Sequence, residues 1–232
     1  MLKKLSKYMY MIKLGYGYIS VFKKTFFHPF INQDLSYKQL SADRQSYANT
    51  VIDFLNLKIN TVGNIPETNK ILYVINHRSL LDIIVMEHVF SLDKKNGAWI
   101  AKKDLFDSFY GKFFEYSACI SVDLQNKRGL LKFFKQIKNC FIKANDFNLY
   151  IFPEGERFSG HGIQKFQNGA SRIAIINKLE VVPVYINDKL EEVFKNSPYK
   201  ETKTIEIHFG EKIDAKNLEE EYKFFMEKVN ND

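Results

Sequence analysis

A histidine and an aspartate stand five residues apart in Asn76-His77-Arg78-Ser79-Leu80-Leu81-Asp82, between the apolar runs 71–75 and 83–86. Histidine titrates near neutrality and can take a proton from an attacking hydroxyl, while a carboxylate on its other ring nitrogen fixes the tautomer and stabilises the imidazolium. Such a pair needs no protein nucleophile, because the base can activate a substrate alcohol directly, as a triad histidine activates serine. The segment also reads as a helix start, with Ser79 and Asp82 at capping-box spacing. Spacing alone does not choose between these readings, since His88 and Asp93 repeat it eleven residues on.

Local context separates the two pairs. On a regular helix five residues turn through about 500°, which leaves the side chains about 140° apart, so a working pair needs a bend between its members. His77 follows an expected strand and precedes an expected helix start, so it can sit in the loop while Asp82 projects from the first turn. His88 falls inside expected helix and reads as a structural or surface histidine. A second constellation is LYIFPEGERFSG at residues 149–160, where an expected strand ends in Pro153-Glu154-Gly155 and Arg157 follows. Proline and glycine are ordinary turn residues there. Arginine suits bidentate recognition of phosphate, and Glu154 could hold the loop or the guanidinium; a surface ion pair is the competing reading.

The elements that must position these residues follow from rhythm. Short apolar runs at 71–75, 98–101, 120–122, 149–152, 181–186 and 204–209 read as strands, and 80–90, 105–114, 130–142 and 170–177 read as helices. A further helix is expected over 36–57 and another over the last dozen residues. The alternation predicts an α/β fold with a largely buried, mixed, mainly parallel sheet, whose sites lie at the carboxyl ends of strands.

The chain has 232 residues, 45% of them hydrophobic, enough for one large domain or a domain with an appendage. Cys119 and Cys140 are its only cysteines, too few for a disulfide framework or a four-cysteine metal site, so free thiols in a reducing compartment and no metal are expected. Lys3, Lys4, Lys7, Lys13, Lys23 and Lys24 supply six of the formal +7 charges, and the first thirty residues hold no Asp, Glu or Arg. Interleaved with Tyr, Phe, Met and Ile, this is the composition of a segment that lies in an anionic membrane surface. The longest uncharged stretch there, 14–22, is far short of the ~20 residues of a span. Lys13 interrupts the apolar region and no small-residue cleavage site follows, so a signal peptide is not expected. The alternatives are a helix packed on the domain and a nucleic-acid arm; the latter would favour arginine over so many aromatics, and no nucleic-acid partner is expected.

In order and spacing, NHRSLLD and FPEGERFS resemble the glycerophospholipid acyltransferase family, in particular bacterial 1-acylglycerol-3-phosphate acyltransferases. Asn76, His77 and Asp82 match that family's Asn-His-x4-Asp, and Phe152, Pro153, Glu154, Gly155 and Arg157 match its Phe-Pro-Glu-Gly-Thr-Arg motif. Val182-Pro183-Val184 matches a Val-Pro-Val element, while 165–170 and 101–105 resemble the stretches that follow the third motif and precede the second. The likeness covers residues 70–187. Two positions depart: Leu124 stands where the second motif carries arginine, and Glu156 where threonine is usual. Lys102, Lys127 or Arg128 could supply the missing charge.

The resemblance implies an acyltransferase α/β domain over 58–232 and an N-terminal amphipathic two-helix membrane-binding element over 1–57. It implies acyl transfer from acyl-CoA or acyl carrier protein to the sn-2 hydroxyl of 1-acylglycerol-3-phosphate, giving phosphatidic acid in phospholipid biosynthesis. His77 would be the base, Asp82 its orienting partner and Arg157 the leading anion-binding residue, with Glu154 and Gly155 shaping its loop and Lys102 beside it. Neither a metal nor a cofactor beyond the acyl donor is implied. The partners would be lysolipid and the membrane surface, met as a peripheral or monotopic protein on the cytoplasmic face of the cell membrane. Another lysolipid acceptor, such as a lyso-ornithine lipid or other lysophospholipid, is the alternative within the class; a non-catalytic membrane-bound protein with the same fold is the alternative outside it.

Overall fold

The computed structural model describes residues 2–28, 33–109, 111–123, 126–144, 146–160 and 162–231. Its strands are β1 (Leu57–Val62), β2 (Ile71–Ile75), β3 (Asn96–Lys102), β4 (Ile120–Val122), β5 (Phe147–Ile151), β6 (Glu180–Ile186) and β7 (Lys203–Phe209). They form one sheet in the order β1-β7-β6-β2-β5-β3-β4, parallel throughout except where β7 runs against β6. The helices are α1 (Leu2–Phe26), α2 (Gln33–Leu55), α3 (Leu81–Leu92), α4 (Lys103–Phe106), α5 (Gly111–Tyr116), α6 (Lys127–Lys143), α7 (Gly169–Asn177), α8 (Leu190–Asn196) and α9 (Leu218–Asn231).

Parallel strands joined by helical crossovers are covered on both faces, which is why β2 and β5 are buried at every position. Period-two geometry then sends alternate side chains of β2 into different cores. Ile71, Tyr73 and Ile75 face α2 and α3 with Val51, Leu55, Met86 and Phe90. Leu72 and Val74 join Phe133 and Ile137 of α6, Ile173 of α7 and Tyr222 of α9 on the other face.

The structure departs from the expected elements in several places, among them α8, a helix between β6 and β7 that the apolar rhythm does not predict. The helix expected to run to residue 57 ends at Leu55, Asn56 takes a positive φ of 55°, and β1 begins at Leu57. β1 pairs with β7 alone, so its residues alternate in burial without the long apolar run that announces a central strand. The stretch 105–114 is divided between α4 and α5.

The segment drawn as residues 1–57 is not separate from the sheet domain in its packing. Leu40, Ala48, Val51, Ile52 and Leu55 of α2 are fully or nearly fully buried, and Arg44 is buried against α3 and β3. The Arg44 guanidinium donates to Glu87 Oε1 at 2.6 Å, to the Ser117 carbonyl at 2.6 Å and to the Gly97 carbonyl at 2.5 Å. Burial works against its charge, and the Glu87 carboxylate together with Cys119 and Tyr150 outweighs that cost, so Arg44 holds its proton more tightly than a free arginine. Lys7 is also buried: its ammonium donates to the carbonyls of Phe194, Lys195 and Ser197, closing the C-terminal end of α8. One of the six lysines read as membrane charge therefore caps a helix.

Removing one member of a buried ion pair leaves the other charge without compensation, so Arg44→Ala is expected to lower stability by about 3–5 kcal/mol. Urea unfolding checks this: a midpoint within error of the unsubstituted protein would mean that α2 is not tied to the domain through this pair.

Candidate functional site

β3, β5 and β2 are consecutive in the sheet and parallel, so their carboxyl ends lie side by side. The register pairs Val74 with Ile151 and Trp99 with Tyr150. Three residues beyond these pairs come His77, Glu154 and Lys102. Chain segments far apart in sequence are thereby delivered to one edge, as expected for a parallel sheet.

Asn76 continues the ladder after β2 ends. Its side-chain amide donates to the Ile186 carbonyl at 3.0 Å and accepts from the Ile186 N–H at 2.8 Å, imitating a strand neighbour. Its backbone N–H donates to the Tyr222 hydroxyl at 3.1 Å, and that hydroxyl donates to the Val184 carbonyl at 2.6 Å. The first residue of the motif thus fixes where the chain leaves the sheet.

His77 and Asp82 meet as the spacing argument requires, across a bend. His77 Nδ1 lies 2.9 Å from Asp82 Oδ2, and the same oxygen accepts the backbone N–H groups of Arg78 at 2.7 Å and Ser79 at 2.8 Å. Because this carboxylate accepts, the Nδ1 atom is the one that carries the proton in the neutral ring, and Nε2 is left as the basic nitrogen. The expected cap is present in altered form. α3 begins one residue later than Ser79 would set it, Ser79 Oγ accepts from the Leu81 N–H at 3.1 Å, and Leu80 occupies the N-cap position with no side-chain bond. Asp82 therefore holds the turn and the histidine at once.

Glu154 is buried and joins the two motifs. Its Oε1 accepts the His77 backbone N–H and its Oε2 the Gln164 N–H, each at 2.8 Å. Burial pushes its carboxyl above the ordinary carboxylate range, and the two N–H donors act in the opposite direction. Glu154 thus holds the loop, and Arg157 has no ion pair with it. Gly155 sits at φ +75°, where a Cβ would come 3.2 Å from Gln167 Cγ and 3.5 Å from Lys102 Nζ. Lys102 therefore lies over the FPEG turn from the neighbouring strand. Arg157 is exposed, next to Phe158, whose N–H donates to the His77 carbonyl at 2.8 Å. The structure thus gathers His77, Asp82, Glu154, Gly155, Lys102 and Arg157 at one edge.

The decoy pair is resolved. His88 Nδ1 bonds Asn49 Oδ1 of α2 at 2.7 Å, burial lowers its pKa, and Asp93 is the C-cap residue of α3. Leu124 lies outside the described residues, as does the Lys127 side chain, and Arg128 is exposed near the start of α6. Trp99 and Arg78 at the site were not singled out from the sequence, and Phe152 only as a member of the FPEG motif. The Phe152 ring stacks on the imidazole of His77 with centroids 3.8 Å apart and planes at 10°, and Trp99 stacks on Phe152 at 4.9 Å. Arg78 donates to the Gly162 carbonyl at 2.9 Å, tying the His77 turn to the far end of the FPEG loop. An aromatic closing β5 was the available signal for Phe152; nothing in the sequence marks Trp99.

The Acyltransferase family model matches residues 56–187. The chain is 35% identical over 136 residues to a 1-acyl-sn-glycerol-3-phosphate acyltransferase of Helicobacter pylori, a match covering 57% of this chain and 54% of that protein. It is 26% identical over 160 residues to one of Cocos nucifera, covering 68% and 51%. The chain thus matches about half the length of these relatives. The crystal structure of the 1-acyl-sn-glycerophosphate (LPA) acyltransferase from Thermotoga maritima superposes with a TM-score of 0.65 at 23% identity, covering 97% of this chain and 91% of that one, a likeness of fold. With the family model matched over more than half of its residues, the chain belongs to the Acyltransferase family.

Proposed function

We propose that the protein transfers a fatty acyl group from a thioester donor, acyl-CoA or acyl carrier protein, to the sn-2 hydroxyl of 1-acylglycerol-3-phosphate, giving phosphatidic acid. The observation that carries this reading is the 2.9 Å contact between His77 Nδ1 and Asp82, which leaves Nε2 as the base. Nε2 takes the proton of the acceptor hydroxyl as its oxygen attacks the thioester carbonyl. The C–S bond then breaks, and the departing sulfur receives the proton back from the imidazolium. Asp82 stabilises the imidazolium between these steps. No acyl-enzyme is needed, because the acceptor itself supplies the nucleophile.

Lys102 lies over Gly155 and Arg157 is exposed two residues further along the same loop, and these two cations are suited to the acceptor's phosphate. Leucine at 124, where the second motif of the family that the chain resembles is expected to carry arginine, favours a second reading in which the acceptor is another lysolipid, such as a lyso-ornithine lipid.

A lysolipid keeps its chain in the leaflet, so the enzyme must meet it at the interface. Met9, Ile12 and Tyr16 of α1 are 65%, 58% and 61% exposed at helical spacing, with Lys13 beside them, and no described helix is long and apolar enough to cross a membrane. We therefore read α1 as lying in the surface of the cytoplasmic leaflet, peripherally. Deleting the helix would also remove Lys7 from α8 and the buried Phe22, so side-chain replacements give the cleaner test.

His77→Ala is expected to lower kcat by ~10²–10⁴-fold with the thermal unfolding temperature preserved; retained turnover would remove His77 from the role of base. On a panel of lysolipids with one acyl donor, 1-acylglycerol-3-phosphate should turn over fastest, and Arg157→Ala should raise its KM by ~10-fold or more. Faster turnover of a lyso-ornithine lipid, or an unchanged KM, would move the acceptor to the second reading. The combined Met9→Ser, Ile12→Ser and Tyr16→Ser variant should partition ~10-fold or more weakly onto anionic vesicles in sedimentation. Undiminished binding would exclude the exposed face of α1 as the membrane contact.

A further inference from the structure

A hydrogen bond from one ring nitrogen restrains an imidazole at a single point and leaves its plane free to swing. The second restraint on His77 is the face of Phe152, 3.8 Å away and within 10° of parallel. Phe152 is itself stacked against Trp99 at 4.9 Å and 25°. Trp99 is buried, and its indole N–H donates to Glu87 Oε1 at 2.9 Å. That oxygen also accepts from Arg44 Nε at 2.6 Å, while Glu87 Oε2 is buried with no hydrogen-bond partner among the described residues. The orientation of the Glu87 carboxylate thus rests on one oxygen shared by Trp99 and Arg44. Arg44 is locked in turn by the carbonyls of Ser117 and Gly97.

We propose that Phe152 and Trp99 are positioning residues for the catalytic base, held by the buried Arg44–Glu87 pair, so that α2 controls the aim of His77 through two stacked rings. Asp82 sets the tautomer, and the stack sets the plane in which Nε2 points. The face of Phe152 also favours the imidazolium formed during transfer, as aromatic faces favour cations. Small errors of aim are costly in proton transfer, so the stack acts on kcat and leaves acceptor binding untouched. The proposal rests on the reading of His77 as base.

The test uses the full chain, acyl-CoA and 1-acylglycerol-3-phosphate in mixed micelles, with Phe152→Leu, Trp99→Leu, their combination and Phe152→Tyr. Phe152→Leu should lower kcat by ~10-fold or more with the acceptor KM within ~2-fold, and Phe152→Tyr, which restores a ring, should recover to within ~3-fold. Trp99→Leu should cost ~5-fold alone but under ~2-fold in the Phe152→Leu background, because the path to His77 is already broken. Proton NMR of the His77 ring supplies a readout that stability does not move: the upfield ring-current shift from Phe152 should vanish in Phe152→Leu and weaken in Trp99→Leu. If Phe152→Leu does not fold, Trp99→Phe, which keeps a ring but loses the N–H to Glu87, should still lower kcat alone by ~3-fold. Unchanged kcat in a folded variant, a loss confined to KM, independently multiplying effects, or an unmoved His77 signal would each overturn the proposal. His77→Ala assayed alongside separates the two claims. Turnover in that variant removes the base, whereas its inactivity beside a fully active Phe152→Leu overturns the positioning role only.

Discussion

A carboxylate buried at the end of a parallel sheet must be met by hydrogen-bond donors, and in this protein Glu154 is met by two backbone N–H groups from different segments. One belongs to His77 after β2 and the other to Gln164 beyond the FPEG turn. The geometry of both loops follows from that demand. Moving either would strand a buried acceptor, so the His77 turn and the FPEG loop are held to one another, and the segment bearing Arg157 is carried to the edge that His77 occupies.

Asp82 applies the same principle over a shorter range. Its Oδ2 collects the N–H groups of Arg78 and Ser79 and the imidazole of His77, so a single oxygen closes the turn, starts α3 and orients the base. Local structure and chemistry are inseparable at this residue. A side chain that only capped the helix would satisfy the backbone donors and leave the histidine without a partner.

The N-terminal helices divide according to what they bury. α2 contributes apolar residues to the core on one face of the sheet and, through Arg44, the cation that compensates Glu87 deep within it. α1 is fastened at Lys7 and Phe22 yet leaves Met9, Ile12 and Tyr16 in the open. An amphipathic pattern alone does not separate a helix that covers a core from one that covers a membrane, because both want an apolar face. The partner that occupies the face decides, and that partner is a feature of the tertiary structure.

Much of the site was legible because its residues sit where local rules apply. The bend between His77 and Asp82 follows from helical angles, the end of β2 at Ile75 and, to within one residue, that of β5 from short apolar runs, and the FPEG turn from proline and glycine. β1 was not legible, since an edge strand with one neighbour carries little apolar periodicity. Nor was the cap in its final form, because Asp82 captures two backbone donors and shifts the start of α3 by one residue. By itself the sequence determined which residues could do the chemistry and that a bend must lie between them, since composition, spacing and turn propensity are properties of the chain at short range. Only the tertiary structure decided that Phe152 stands against the imidazole with Trp99 behind it, that Glu154 bonds His77 and not Arg157, and that Lys7 caps α8. Each of those contacts joins residues whose separation along the chain carries no periodic signal and whose meeting is set by the order of strands in the sheet.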